Sequence, residues 1–294
     1  MSRVEVKKTY KLYLGGAFPR SESGRSYEVT DSRGRFLANA AAGSRKDGRD
    51  AVVAARKAQP GWAGATAYNR GQVLYRVAEV MESRKAQFVE EVRAAEGLTP
   101  TSAAAVVDAA IDRWVWYAGW SDKYAQVLGG LNPVAGPYFN ISAPEATGVV
   151  AAIAPQASSL LGLVSVIAPI VVSGNTAVVV ASHRRPVPAI TLAEALATSD
   201  VPGGVVNLIT GDPAEIAPWL ASHRDVNALD LSGAAGSELD WAALEVAAAD
   251  NLKRVRRPAF AGTEIAEPDW TLTPDLSRLE AFLETKTVWH PKGR

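Results

Sequence analysis

The stretch GVVAAIAPQASSLLGLVSVIAPIVVSGNTAVVVAS, residues 148–182, constrains this 294-residue chain more than any other. It reads as a strand, a tight loop, a buried helix and a second strand. Both strands are continuous apolar runs, not alternating ones, which calls for burial on two faces, as in a parallel sheet under helices. The same order recurs downstream in PAITLAEALATS, GVVNLIT, PAEIAPWLASH, NALDLSG and SELDWAALEVAAA. With right-handed crossovers these segments predict a doubly wound α/β fold. The helix SSLLGLVSVIAPIVVS is shorter than the roughly 20 apolar residues of a membrane span, and Pro169 interrupts it. A helix buried on all sides explains it better.

Upstream, KLYLGG, SYEVT and RFLANA are short strands separated by Gly, Ser and Asp turns. Three helices follow. Ala51, Val52, Ala55 and Ala58 line the first; Val73, Leu74, Val77, Val80, Met81 and Phe88 line the second, stopped by Gly97. The third carries Ile111, Trp114, Tyr117, Trp120 and Tyr124 at three- and four-residue steps, an aromatic stripe that reads as core or interface. Residues 126–144 form two short runs around Pro133 to Gly136, a hairpin apart from the helices. Residues 259–277 are a Pro-, Asp- and Thr-rich loop. A short helix, SRLEAFLE, and one strand, TKTVWHP, end the pattern.

Lysine plus arginine equals aspartate plus glutamate at 31 each, so no overall field points to nucleic acid or an anionic membrane. The basic cluster KRVRR, 253–257, reads as a solvated or partner-facing edge. The chain has no cysteine, which removes disulfides, thiolate metal sites and a cysteine nucleophile. His183, His223 and His290 lack metal-ligand spacing, so no metal is expected. The opening residues have no apolar core like that of a signal peptide, which makes the cytoplasm the expected compartment.

Several segments together resemble the aldehyde dehydrogenase superfamily from about residue 12 to 257: LYLGGAF, AVVAARKAQPGW, WYAGWSDKYAQ, PEATGVVAAIAP, IAPIVVSGNT, DVPGGVVNLITGDPAEI, LDLSG and LKRV. The tail LEAFLETKTVWHP is similar to the family's last strand. The resemblance implies a degenerate, Rossmann-like cofactor-binding domain over 1–124 and 147–262. It implies a small oligomerisation β-flap over 125–146 and 278–292. Residues 263–277 would then be a linker where the family has its catalytic domain, as in the non-catalytic second half of two-part members.

The resemblance also assigns positions. The family's Pro-Trp-Asn-Phe-Pro loop, whose Asn donates to a developing oxyanion, matches Pro155, Gln156, Ala157, Ser158 and Ser159. Ala157 stands at the donor position, and such a donor is worth roughly 3 to 4 kcal/mol of barrier. The ribose-binding Lys-Pro-x-Glu segment matches Val180, Ala181, Ser182 and His183. The Phe-Thr-Gly-Ser turn before a pyrophosphate-facing helix matches Leu231, Ser232, Gly233 and Ala234, with Ser232 as its cap. SGAAGS is not the G-x-G-x-x-G fingerprint. The general base matches Pro258, which carries no proton-transfer group. The expectation is therefore no catalytic residue (Ala157 and Pro258 being degenerate) and only vestiges of an NAD(P) site at Pro155, His183, Ser232 and Gly233. No cofactor is expected to bind tightly.

From these positions the chain is expected to be no enzyme on its own. It would be a pseudoenzyme subunit in a hetero-oligomer with a full-length NAD-dependent aldehyde dehydrogenase, docked through Tyr138, Phe139, Ile141, Thr287, Val288 and Trp289. The alternatives are a residual NAD(P)-binding or sensing module without turnover, and different chemistry in the old cleft around His183.

Overall fold

A computed structural model describes residues 8–293. Residues 1–7, the start of the first expected domain and of the segment read for a leader, lie outside the described residues.

The chain opens with strands β1 (Thr9–Tyr10), β2 (Ser26–Thr30) and β3 (Phe36–Ala41), which form a small sheet in the order β1-β3-β2. Helices α1 (Arg45–Gly64), α2 (Ala67–Ser83), α3 (Lys85–Glu96), α4 (Pro100–Trp120) and α5 (Tyr124–Leu128) follow. Helix α1 begins at a reciprocal capping box between Ser44 and Asp47, and α4 at Thr99 with Pro100 in its first turn. Gly97 closes α3 in the left-handed region at φ 74°, where glycine carries no Cβ penalty.

The main sheet comprises β6 (Val149–Ile153), β7 (Thr176–Val180), β8 (Val206–Ile209), β9 (Ala228–Asp230) and β10 (Arg254–Arg256). All are parallel, in the order β10-β9-β6-β7-β8. Helices α6 (Leu161–Val172), α7 (Val187–Ala197), α8 (Pro213–Ser222) and α9 (Trp241–Ala248) connect the strands. The fold is thus a doubly wound α/β sheet. Every residue of β6, β7, β8 and β9 is buried, which is why their sequences do not alternate. In β6, Val150 and Ala152 join one core with α4 and α6, while Val149, Ala151 and Ile153 join another with α1 and α8. Every residue of α6 is buried, Pro169 included. The stripe residues Ile111, Trp114, Tyr117 and Tyr124 belong to the first core.

Two strands stand apart from the main sheet, β4 (Gly130–Asn132) and β5 (Tyr138–Ala146). After β10 the chain makes a hairpin, β11 (Ala259–Ala261) and β12 (Glu264–Ala266), then a loop and α10 (Ser277–Glu280). It ends in β13 (Leu283–Pro291), which pairs with β5 over nine positions, from Leu283↔Ala146 to Pro291↔Tyr138. The third sheet is therefore β13-β5-β4. Fully buried Asn175 fixes this tail to the main sheet: its amide donates to the Phe282 carbonyl, and its oxygen accepts from the Gly148 N–H.

Candidate functional site

In an open parallel sheet, ligands lie beyond the carboxyl ends of the strands where the strand order reverses. Here that point falls between β6 and β9. The loop after β6 is Pro155 to Leu160, and the turn after β9 runs through Ser232 to Ser237.

The β6 loop is held by its own chain. The Gln156 side chain donates to the Ala154 carbonyl at 2.8 Å and accepts the His183 N–H at 3.1 Å, which ties the loops after β6 and β7 together. The N–H and the hydroxyl of Ser159 both reach one oxygen of Glu96, at 2.7 and 2.6 Å. Burial pushes the Glu96 carboxyl up, and the Ser159 donors oppose this. The N–H groups of Gln156 and Ala157 converge on one oxygen of Glu267, at 2.6 and 2.7 Å. Ala157 is exposed and its carbonyl accepts from Arg185. Pro155 packs behind it: a methyl group on Gly162 would come within 2.8 Å of the Pro155 ring.

The turn after β9 corrects one expectation. Ser232 does not cap a helix. Residues Ser232–Ala234 form a single 3₁₀ turn, and α9 begins only at Trp241, capped by Asp240. The reason is packing: Gly233 lies so close to β6 that a methyl group there would sit 2.2 Å from the Ala154 carbonyl oxygen. Ser232 is buried; its N–H donates to Asp230 and its hydroxyl accepts from Arg278 at 3.2 Å. Arg278 also pairs with the fully buried Asp230 carboxylate at 3.2 Å and stacks over the Trp270 ring at 4.6 Å. His183 stacks on Tyr27, ring centroids 4.6 Å apart, so its ring is a packing element. Pro258 is buried beyond the end of β10, which keeps three residues paired with β9.

The remaining expected residues lie on the β13-β5-β4 sheet, and register divides them between its two faces. Leu131, Ile141 and Val288 stand opposite one another across the three strands, with Phe139 on the same face. They are 64, 48, 49 and 40% exposed. Tyr138, Thr287 and Trp289 lie on the other face, where the rings of Tyr138 and Trp289, 41 and 58% exposed, pack edge to face beside a polar ladder in which Asn132 donates to Asn140 and Ser142, and Ser142 bonds Thr287.

Sequence reasoning missed Glu267, Arg278, Arg113 and Asp230. Glu267 and Arg278 lie in and beside the aperiodic loop, which carries no pattern. Arg113 and Asp230 did leave a signal, a charge set inside an apolar helix and an apolar strand.

A profile of the aldehyde dehydrogenase family matches residues 18–256. The chain belongs to this family. It is 31% identical over 256 residues to aldehyde dehydrogenase family 2 member B4 of Arabidopsis thaliana, a match covering 86% of this chain and 46% of that one. It is 30% identical over 258 residues to retinal dehydrogenase 2 of Homo sapiens, covering 86 and 48%. It therefore spans about half the length of these relatives. Among solved structures, the NAD+ complex of an aldehyde dehydrogenase from Bacillus cereus shares the fold at a TM-score of 0.78 and 23% identity, over 86% of this chain and 53% of that one. A complex of PnpE with nicotinamide adenine dinucleotide matches at 0.77 and 27%, over 84 and 50%. The expectation that the chain is no enzyme on its own is thereby corrected. The relatives that share its domain are named as dehydrogenases, and the chain stands among enzymes.

The family implies a dinucleotide, and the residues at the switch point do not fit one as arranged. The amides of Gln156 and Ala157 are taken by Glu267, the Ser232 hydroxyl by Arg278, and no helix starts at Ser232. Among the described residues no helix is long and apolar enough to cross a membrane.

Proposed function

We propose that this chain is an aldehyde dehydrogenase-family subunit that assembles with a full-length NAD-dependent aldehyde dehydrogenase through its β13-β5-β4 sheet. The observation that carries this reading is the apolar ladder Leu131–Ile141–Val288, 48 to 64% exposed on a sheet of three strands. A small sheet exposed on both faces, with a nine-residue edge strand, is poorly protected in water. A partner of the same family covers such a sheet by packing on its face or by adding a strand. In this reading residues 1–124 and 147–262 are the cofactor-type domain, 125–146 and 278–292 the assembly flap, and 263–277 the link between them. The aldehyde-oxidising activity is that of the relatives, carried by the assembly.

Isolation of the tagged chain from its own cells tests the reading. The expected result is stoichiometric recovery of an aldehyde dehydrogenase subunit, identified by mass spectrometry. A lone monomer by light scattering overturns it.

One observation favours a second reading, NAD(P) binding at the switch point: two converging amides there already hold an anion. The dinucleotide would have to displace Glu267. Calorimetry with NAD and NADP on the natural chain and on Glu267→Gln tests this, and absence of heat from both proteins rejects it.

A further inference from the structure

We propose that the cleft between the second half of α4 and residues 268–278 is a binding site for a small phosphate-bearing anion, held by Arg113, Arg256, Arg278 and the Tyr117 hydroxyl.

The cleft has a volume of about 300 Å³ and these four side chains line it. Arg113 is only 7% exposed. Its guanidinium donates to the Ser165 hydroxyl at 2.8 Å and to the carbonyls of Trp270 and Leu272 at 2.8 and 3.0 Å. All three acceptors are neutral, and among the described residues no carboxylate pairs with it. A buried cation satisfied only by neutral oxygens keeps an uncompensated charge. One helical turn further, Tyr117 is fully buried, and among the described residues its hydroxyl has no hydrogen-bond partner. Buried hydroxyls are rarely left so.

The Arg256 side chain, from the end of β10, donates to the Ser277 carbonyl at 3.4 Å. Among the described residues, Arg278 is the one arginine of the three in an ion pair, with Asp230. Two other carboxylates line the cleft, and both face local donors. Asp269 accepts from the N–H and hydroxyl of Thr271, and Asp275 from those of Ser277. Among the described residues neither is within ion-pair distance of an arginine, although the Asp275 charge acts on Arg278, and the charges of Arg256 and Arg278 add to the Ser277 hydroxyl bond in holding the Asp275 carboxyl down. Burial pushes the Tyr117 hydroxyl up to about 12; the charges of Arg278, Arg113 and Arg256 each pull it back, and that of Asp275 adds to the rise.

Guanidinium forks match phosphate oxygens, and three of them with a phenol offer more donors than the two oxygens of a carboxylate accept. The volume lies at the lower end of ligand pockets, which suits a phosphate with a small organic group and is too small for a dinucleotide. Inorganic phosphate and a phosphate monoester share this chemistry.

Calorimetry on the full chain at constant ionic strength tests the site, with inorganic phosphate, glycerol 3-phosphate and acetate as probes. One saturable site is expected for the phosphate probes. Arg256→Gln should weaken it about tenfold, the worth of one charge-assisted bond. Tyr117→Phe should weaken it several-fold, both with unchanged circular dichroism. Tighter binding of glycerol 3-phosphate identifies a monoester, and equal binding the inorganic ion. The proposal is overturned if neither phosphate probe saturates, if both variants bind as the natural chain does, or if acetate binds as tightly.

Discussion

Glu267 accepts the backbone N–H of Ala157 at 2.7 Å across 110 residues of sequence, and the same oxygen takes the Gln156 N–H. Consecutive amides aimed at one point form an anion-binding concavity, and here the chain fills it with its own carboxylate. The other Glu267 oxygen receives the Trp270 indole N–H at 3.4 Å. The segment after β12 is thus fastened to the loop after β6.

Replacing Glu267 by alanine removes the acceptor from both amides. A lost hydrogen bond to a charged group costs about 1.5–3 kcal/mol. Glu267→Ala should lower unfolding free energy by about that much in urea. Amide exchange at Gln156 and Ala157 should speed up while that of β7 stays unchanged. Unaltered exchange at both amides would show that the loop holds its shape without Glu267.

Arg278 and Asp230 form the second fastening. Desolvation lowers the Arg278 pKa, and the Asp230 charge opposes that shift. Removing one member of a buried pair leaves the other unpaired, at a cost of about 3–5 kcal/mol. Arg278→Met should therefore be strongly destabilising, and Arg278→Met with Asp230→Asn together less so. Denaturation of the two single variants and the double variant measures the coupling. Additive losses would mean that the two side chains do not support each other.

The sheet was legible because burial on both faces dictates composition: β6, β7 and β8 can be read directly from VVAAI, TAVVV and VNLI. The β13-β5-β4 sheet was legible as a hairpin and a final strand, but its two faces were not. Which of Ile141 and Trp289 shares a face with Val288 depends on register, and pairing fixes that only in three dimensions. Ser232-Gly233 read as a helix cap because the dipeptide is good capping chemistry. The close approach of Gly233 to the Ala154 carbonyl, which turns the chain into a 3₁₀ turn instead, leaves no mark in sequence. The Glu267 contact was illegible for a related reason: a polar loop acquires meaning only from what it packs against.

Glu91 gives a prediction in pH. It is partly buried, and burial pushes its carboxyl up against the opposing hydrogen bonds of Thr191 and Gln87 and the charge of Lys8. A carboxyl with a raised folded pKa binds its proton more tightly in the fold than unfolded. Stability therefore falls as pH rises from the ordinary glutamate value through the raised one. Glu91→Gln removes that penalty. The variant should be more stable than the natural chain at neutral pH, and the gap should close as pH drops below the ordinary glutamate value. Thermal melts across that range check it; a gap independent of pH would assign the effect to packing.

The face on which Ile141 lies decides what a charge there does. Ile141 sits at the centre of the apolar ladder, between Leu131 and Val288, and its side chain is open in the single chain. Ile141→Asp should leave the fold intact by circular dichroism. Where a partner covers the ladder, the new carboxylate is desolvated without a counter-charge, a cost of several kcal/mol. The association should weaken on the order of 100-fold or more. Thr287→Ala, on the polar face, loses one hydroxyl contact with Ser142 and should keep the assembly. Sedimentation of both variants beside the natural chain separates the faces. If Thr287→Ala dissociates the complex and Ile141→Asp does not, the partner sits on the polar ladder instead.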